Sequence, residues 1–413
     1  MSRIKIKYFG PIKEGLLDNK GWIDISKTTI FIGNQGSGKS TVAKLISTFT
    51  WIEKALVRGD YDKKWFEKKN RLKNQFLNYH RLENYPTKNN GLWGDTEIKY
   101  EGEAYHIKYE NETLFIDEVS NNKYSLPQIM YVPAERNFIA YVKSPKELKL
   151  SSDSLKEFLT EFDNSKRNMK GIMSLPINNV GIEYDKLNDI LNIKGENYKV
   201  RLTDSSSGFQ SLVPLYLVSE YLSKSVKNQS ENKEKMSSEE EIRFKKGVED
   251  IISNENLTSE QRRLAISVLS SRFNKTSFIN IVEEPEQNLF PSSQWQLLKS
   301  LIEFNNFVSS NKLIITTHSP YIINYLSIAI QADYLKNKIN TNDSLREKLN
   351  KIVPLRSTIN AKKISIYQLD EESGNITKLN SYEGIPSDNN FLNKSLAEGN
   401  NLFDSLLEIE QEL

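Results

Sequence analysis

Residues 33 to 40 read GNQGSGKS, and that octet leaves the chain around it few choices. Gly33, Gly36 and Gly38 admit backbone conformations that turn several amide N–H groups inward, forming a cradle for phosphate oxygens. Lys39 then reaches the outer phosphates, Ser40 offers a hydroxyl ligand to Mg²⁺, and the helix that begins there adds a favourable dipole. The whole run from Gly33 to Thr41, with Asn34, Gln35 and Ser37 among the glycines, is the expected nucleotide contact. Such a loop works between a strand and a helix, and both are legible. WIDISKTTIFI leads in, apolar on both faces at its end as a central strand is, and TVAKLISTFTWIEKAL leads out with Val42, Leu45, Ile46, Phe49 and Ile52 at helical spacing.

Three later segments carry matching chemistry. FINIVEEPEQNLFP, residues 278 to 291, is an apolar strand ending in two carboxylates. Pro285 stops the strand, so both acids lie at its C-terminal end, the usual ligand edge of an α/β sheet. Glu283 is the expected member of the Mg²⁺ shell and Glu284 the expected general base; a solvated acidic turn is the plainer reading, which the apolar run before it disfavours. A further apolar strand, KLIITTHSP, ends in Thr316, Thr317 and His318, placing the imidazole as a γ-phosphate sensor, although a lone histidine is more often an ordinary hydrogen-bonded one. SSSGFQS, residues 205 to 211, runs into an apolar helix, so Ser207, Gly208 and Gln210 stand at an anion-binding helix N-terminus; alone, the same letters would suit a linker.

Composition narrows what surrounds these motifs. The 413 residues carry 38% hydrophobic and 27% charged residues with a net charge of +2, which makes no whole-chain case for nucleic-acid binding. The absence of cysteine excludes disulfides and thiolate metal sites, and only His80, His106 and His318 are available as imidazoles. No run of eighteen apolar residues exists, and MSRIKIKYFG lacks the apolar core of a secretory signal, so a cytoplasmic protein with no membrane partner is expected.

Along the chain, RIKIKYF reads as a strand, the basic and aromatic residues 58 to about 85 as helix, and residues 91 to 119 as a small antiparallel meander with turns at Glu101-Gly102 and Glu110-Asn111. PQIMYVP is a short buried strand, followed by polar helical sequence to about 170. Residues 224 to 263 are rich in both charges and poor in aromatics, as an exposed helical insertion or partly disordered arm would be. KKISIYQL is a strand of the tail, and Asp370, Glu371 and Glu372 after it read as a solvated turn. The basic segment 58–81 could hold a nucleic-acid backbone, but a solvated helix that buries its aromatics is the preferred reading. NNLFDSLLEIEQEL suits either a partner-binding amphipathic helix or a lid.

Loop, serine-glycine signature, acidic strand and histidine turn, in this order, resemble the ATP-binding-cassette ATPases. Their spellings EEPEQNLFP, SSGFQS and THSP resemble the soluble branch of the OLD (overcoming-lysogenization-defect) type and its relatives in bacterial antiphage systems. The resemblance implies an α/β fold: a P-loop ATPase head with a mixed sheet core, a small antiparallel β subdomain and a helical lobe with an insertion. It implies ATP and Mg²⁺ as cofactors, a head-to-tail dimer in which the signature of one copy closes on the nucleotide of the other, and a separate effector such as a nuclease or toxin. The alternative is a DNA-binding repair or chromosome-maintenance ATPase of the SMC-like class. Phe209 stands where the family's signature has a second glycine, and Glu283 where it has aspartate. No clean glutamine loop is visible, leaving Gln128, Glu135 and Arg136 as candidates, and residues 321–413 offer no DxD pair for a Toprim nuclease. The expected units are an ATPase lobe with the P-loop and small sheet (1–134), a helical lobe ending in the signature (135–223), a polar helical insertion (224–275), an ATPase core with the acidic strand and histidine turn (276–330) and a C-terminal extension (331–413).

Overall fold

The computed structural model describes residues 2–87, 95–119, 124–141, 150, 152–232, 238–255, 257–270, 276–339 and 342–411. Its centre is a seven-stranded mixed sheet in the order Gly15–Leu16, Asn375–Lys378, Ile364–Leu369, Thr28–Gly33, Lys312–Thr317, Ser277–Glu283 and Pro127–Val132. From Ile364–Leu369 to Pro127–Val132 all neighbours are parallel, while Asn375–Lys378 runs antiparallel to Ile364–Leu369. The strands at 28–33, 127–132 and 277–283 are buried along their whole length, which explains their unbroken apolar spelling.

Alternate residues of these strands feed two cores. Phe31, Ile129, Tyr131, Ile279, Ile281 and Ile314 face the helix Lys39–Arg58, meeting Val42, Leu45, Ile46 and Phe49. Ile30, Ile32, Met130, Val132, Val282 and Ile315 face the opposite core with Leu212, Leu215 and Leu298. This two-residue alternation is the pleat itself, and each fully buried Ile or Phe contributes roughly 2 kcal/mol of transfer free energy. The helix Lys39–Arg58 is covered on its other side by a five-stranded antiparallel sheet of Ile23–Asp24, Arg3–Lys7, Glu97–Glu101, Tyr105–Glu110 and Thr113–Glu118. Sandwiched between sheets, the helix has buried residues nearly all round, Glu53 included; that carboxylate accepts from Tyr100 Oη at 2.8 Å and Ala104 N at 2.7 Å.

The α/β class, the mixed sheet and the small antiparallel sheet are as expected, and several local expectations change. The run 22–32 is two strands in two different sheets, broken at Ser26, whose N–H is taken by Thr29 Oγ1 at 3.0 Å. Residues 58–81 form short turns instead of one helix: Lys63–Phe66, a wide turn Leu72–Leu77 and a tight one Asn78–His80. Aromatic packing overrides helical continuity there, with Tyr61 stacked on Trp65 at 4.0 Å and Phe66 against Phe76 at 5.5 Å. The expected helical lobe holds the helix Asp153–Asn168 and also a four-stranded antiparallel sheet over Ile172–Ser174, Gly181–Asp185, Ile190–Lys194 and Lys199–Arg201.

The boundary at 223/224 falls inside a helix, Ser207–Asn232, and that at 330/331 inside another, Pro320–Lys338. The expected insertion is helical over Ser238–Ser253 and Ser259–Ser270, its residues 233–237, 256 and 271–275 lying outside the described ones. It is docked rather than free: Ile266 is buried, Arg263 lies 4.0 Å over the Tyr79 ring, and its Nη1 donates to Gln75 O at 2.5 Å. The tail is not an appendage, because Ile364–Leu369 pairs directly with the P-loop strand. Among the described residues no helix is long and apolar enough to cross a membrane.

Candidate functional site

Parallel pairing sets the site. Register places Leu369 beside Gly33, Thr317 beside Ile32 and Glu283 beside Thr316, so four loops leave the same C-terminal edge of the sheet. Gly33 has φ +151, and a Cβ there would lie 2.3 Å from Leu369 O, so no larger residue fits between loop and neighbouring strand. Gly38, at φ +99, supplies the turn into the helix Lys39–Arg58.

Lys39 is buried, and its Nζ donates to Gly33 O at 2.8 Å and Asn34 O at 2.7 Å. Burial lowers its pKa, while Glu284, Glu286, Glu371 and Glu283 pull it back up. Ser37 Oγ is buried without a partner, an unused donor inside the loop. Ser40 and Thr41 sit on the first turn of the helix.

The acidic turn is held from three sides. Glu283 is buried; its Oε2 accepts from Ala134 N at 3.1 Å and its Oε1 has no partner, Tyr131 lying beside the carboxylate without a well-formed hydrogen bond. An unpaired buried carboxylate oxygen next to the P-loop fits a Mg²⁺ ligand, with Ser40 as the other residue able to contribute. Among the described residues no cluster of three or more Asp, Glu or His is arranged to hold a metal unaided.

Glu284 adopts φ +43, a left-handed conformation rare for a non-glycine residue. Three bonds hold it there: its N–H donates to Thr316 O at 2.8 Å, and its carbonyl accepts from Arg136 Nη2 at 2.6 Å and Gln287 N at 3.1 Å. Its Oε1 lies 3.6 Å from His318 Nδ1, and that contact is the main reason its pKa falls below the usual carboxylate value and that of His318 rises. Both therefore tend to their charged forms.

Two residues gain roles that the sequence alone did not assign. Glu286 is buried, accepts from Thr317 Oγ1 at 2.7 Å and His318 N at 2.9 Å, and so ties the acidic turn to the histidine turn; burial raises its pKa. The single acid after Pro285 in EEPE was its only signal. Arg136 is fully buried and donates four times to main-chain oxygens: Nη1 to Glu283 at 2.7 Å and Pro133 at 3.2 Å, Nη2 to Glu284 at 2.6 Å, and Nε to Ser211 at 3.1 Å. Burial lowers its pKa to about 10, which leaves it cationic at neutral pH. Gln128 sits at the opposite end of its strand, paired with Phe278, and Glu135 is exposed.

The signature segment begins the helix Ser207–Asn232 with Ser207 exposed and Gly208 packed on the acidic loop: a Cβ at 208 would lie 2.9 Å from Asn288 O, and Asn288 Nδ2 donates to Ser211 Oγ at 2.9 Å. Gln210 is turned inward, its Nε2 donating to Thr203 O and Ser205 O at 3.0 Å each, so it shapes the loop before the helix. Neither Ser207 nor Gly208 lines the cleft over the P-loop. That cleft, about 490 Å³, is walled by Gly33–Gln35 and His318 on one side and by Glu371 and the first turns of the helix Phe391–Gln411 on the other. Glu371 and Glu372 are exposed, as residues of a solvated turn are, and with Asp370 they border the loop.

No protein-family model matches this sequence, and no curated protein matches it. Similar solved structures include the SMC head domain from Thermotoga maritima, 9% identical with a TM-score of 0.37 over 92% of this chain and 98% of that one. Another is the Smc head domain with an extended coiled coil, bound to the C-terminal domain of ScpA, derived from Pyrococcus furiosus: 10% identity, TM-score 0.35, 98% of this chain and 100% of that one. A third is a dimeric ATP-binding cassette in a post-hydrolysis state bound to ADP and Pi: 12% identity, TM-score 0.28, 92% and 100%. At these values the likeness assigns no role to any residue of this chain.

Proposed function

We propose that this protein is an ATPase of the ATP-binding-cassette type that binds ATP and Mg²⁺ at Gly33–Thr41, hydrolyses ATP, and pairs head to tail with a second copy. The observation that carries the reading is the convergence of Lys39, Glu283, Glu284 and His318 on one edge of a parallel sheet. Lys39 exchanges its loop carbonyls for phosphate oxygens. Ser40 and Glu283 would hold Mg²⁺, which supplies charge neutralisation to the phosphates. Glu284, kept ionised by His318, orients the attacking water and accepts its proton; a carboxylate held below its usual pKa is a weak base, so orientation is its first contribution. His318, drawn toward its protonated form, directs positive charge at the γ-phosphate.

A second copy enters the reading because exposed Ser207 and its neighbour Gly208, at a helix start suited to an anion, do not line the cleft beside their own P-loop. Control of a separate effector, and a role in antiphage defence, rest on the resemblance of EEPEQNLFP, SSGFQS and THSP to the OLD-type branch. A duplex-binding ATPase is the weaker reading: the basic segment 58–81 buries Phe66 and Phe76 and covers Trp65 with Arg71 at 4.2 Å, which removes the rings that would stack on bases. The test is Glu284→Gln, expected to keep ATP binding, lower phosphate release about 100-fold or more, and double the mass of the complex in ATP. Unchanged phosphate release would sink the assignment.

A further inference from the structure

The P-loop has a feature that phosphate binding does not call for, a carboxylate in its mouth. Asn34 Nδ2 donates to Glu371 Oε1 at 2.7 Å, while Asn34 Oδ1 accepts from Gln35 N at 2.8 Å, so this one side chain joins the loop to the turn after the strand Ile364–Leu369. The turn is well anchored. Asp370 Oδ1 accepts from Glu372 N at 2.9 Å and Ser373 N at 3.0 Å, Gly374 takes φ +66, and Lys13 Nζ donates to Glu372 O at 3.0 Å. Parallel pairing of Leu369 with Gly33 ties the start of the turn to the loop.

The same loop holds two groups suited to an anion: Lys39, bonded to loop carbonyls rather than to a carboxylate and within electrostatic reach of Glu371, and the buried, unpartnered Ser37 Oγ. Glu283, Glu284 and Glu286 have uses in metal binding, water orientation and loop bracing. Glu371 has none in that chemistry, and it lines the cleft together with Gly33, Asn34 and Gln35 of the loop.

We propose that Glu371 is a repulsive latch on the P-loop: its carboxylate holds Asn34 and weakens the loop's affinity for the phosphates of a nucleotide. The inference rests on the reading of residues 33–41 as the ATP site. An exposed carboxylate acting on a phosphate chain across several ångströms of wet cleft changes affinity by about five- to tenfold at low salt.

Glu371→Gln keeps the side chain's size and its acceptor for Asn34 but removes the charge. Calorimetric titration with Mg·ATP should give a Kd about five- to tenfold below that of the parent at low salt, the gain shrinking toward unity in about 0.5 M salt. Equal or weaker binding by Glu371→Gln at low salt overturns the latch. Lys39→Ala, titrated in parallel, separates the two levels: parent-like affinity there overturns the ATP-site reading itself, whereas lost binding beside an unaltered Glu371→Gln overturns the latch alone.

Discussion

Arg136 Nη2 donates to the main-chain oxygen of Glu284 at 2.6 Å, so the backbone of the residue assigned to water orientation is held by a fully buried cation. The same guanidinium reaches Ser211 O on the signature helix. One planar fork therefore sets the left-handed turn at Glu284 and its distance from the helix that begins at Ser207, a geometry that a lysine's single ammonium cannot reproduce.

Replacing that fork should damage both stability and turnover. Arg136→Met removes the buried donor to the carbonyls of Pro133, Glu283 and Ser211, leaves Glu284 O with the Gln287 N–H alone, and should cost about 3 kcal/mol in urea unfolding. Arg136→Lys should be nearly as damaging to phosphate release while keeping more stability. A Lys variant with parent-like turnover would show that the fork geometry is not what matters.

The pairing of Glu284 with His318 makes a pH-dependent prediction. His318 is raised from its ordinary 6.5, so its contribution to stability is fully present below that value and is lost as pH climbs through the folded pKa. Glu284 is lowered from 4.5, so its contribution is present above that value and lost as pH falls through the folded pKa. Glu284→Gln should move the His318 titration, followed by NMR, back toward 6.5. Its stability deficit against the parent should be larger at about pH 6 than at about pH 9.

Glu286 separates charge from hydrogen bonding. Glu286→Gln can still accept from Thr317 Oγ1 and His318 N, and it removes an ion whose burial is unfavourable, so melting should change little or rise slightly. Glu286→Ala leaves both donors unsatisfied and should cost about 1–3 kcal/mol, with turnover falling as His318 loses its anchor. Equal stability of the two variants would mean that the hydrogen bonds carry no weight.

Head-to-tail pairing can be read from mixing two dead variants. Lys39→Ala disables the P-loop of its own chain, and Ser207→Arg disables the signature that chain lends to its partner. A mixed dimer keeps one intact composite site, so an equimolar mixture should recover about a quarter of native ATP turnover. If each chain carried a complete site, the mixture would stay inactive.

The nucleotide edge was legible because its constraints are local. GNQGSGKS needs glycine where φ is positive, apolar runs of six or seven residues need burial on both faces, and Pro285 must end a strand; each condition is written in adjacent residues. The aromatic segment 58–81 misled because long-range ring packing with Trp51 and Arg263 outweighed helix propensity. The sheet over residues 172–201 was missed because short strands carry little pattern of their own and need one another to be seen.

By itself, then, the sequence determined the α/β class, the P-loop and the positions of Glu283, Glu284 and His318 at strand ends. Tertiary structure decided the rest: that the tail strand Ile364–Leu369 stands beside the P-loop, that Glu371 meets Asn34, and that Arg136 joins the acidic turn to the signature helix. Those partners are far apart in the chain, and no local periodicity encodes a contact that exists only once the sheet has set its strand order and the buried donors have had to find acceptors.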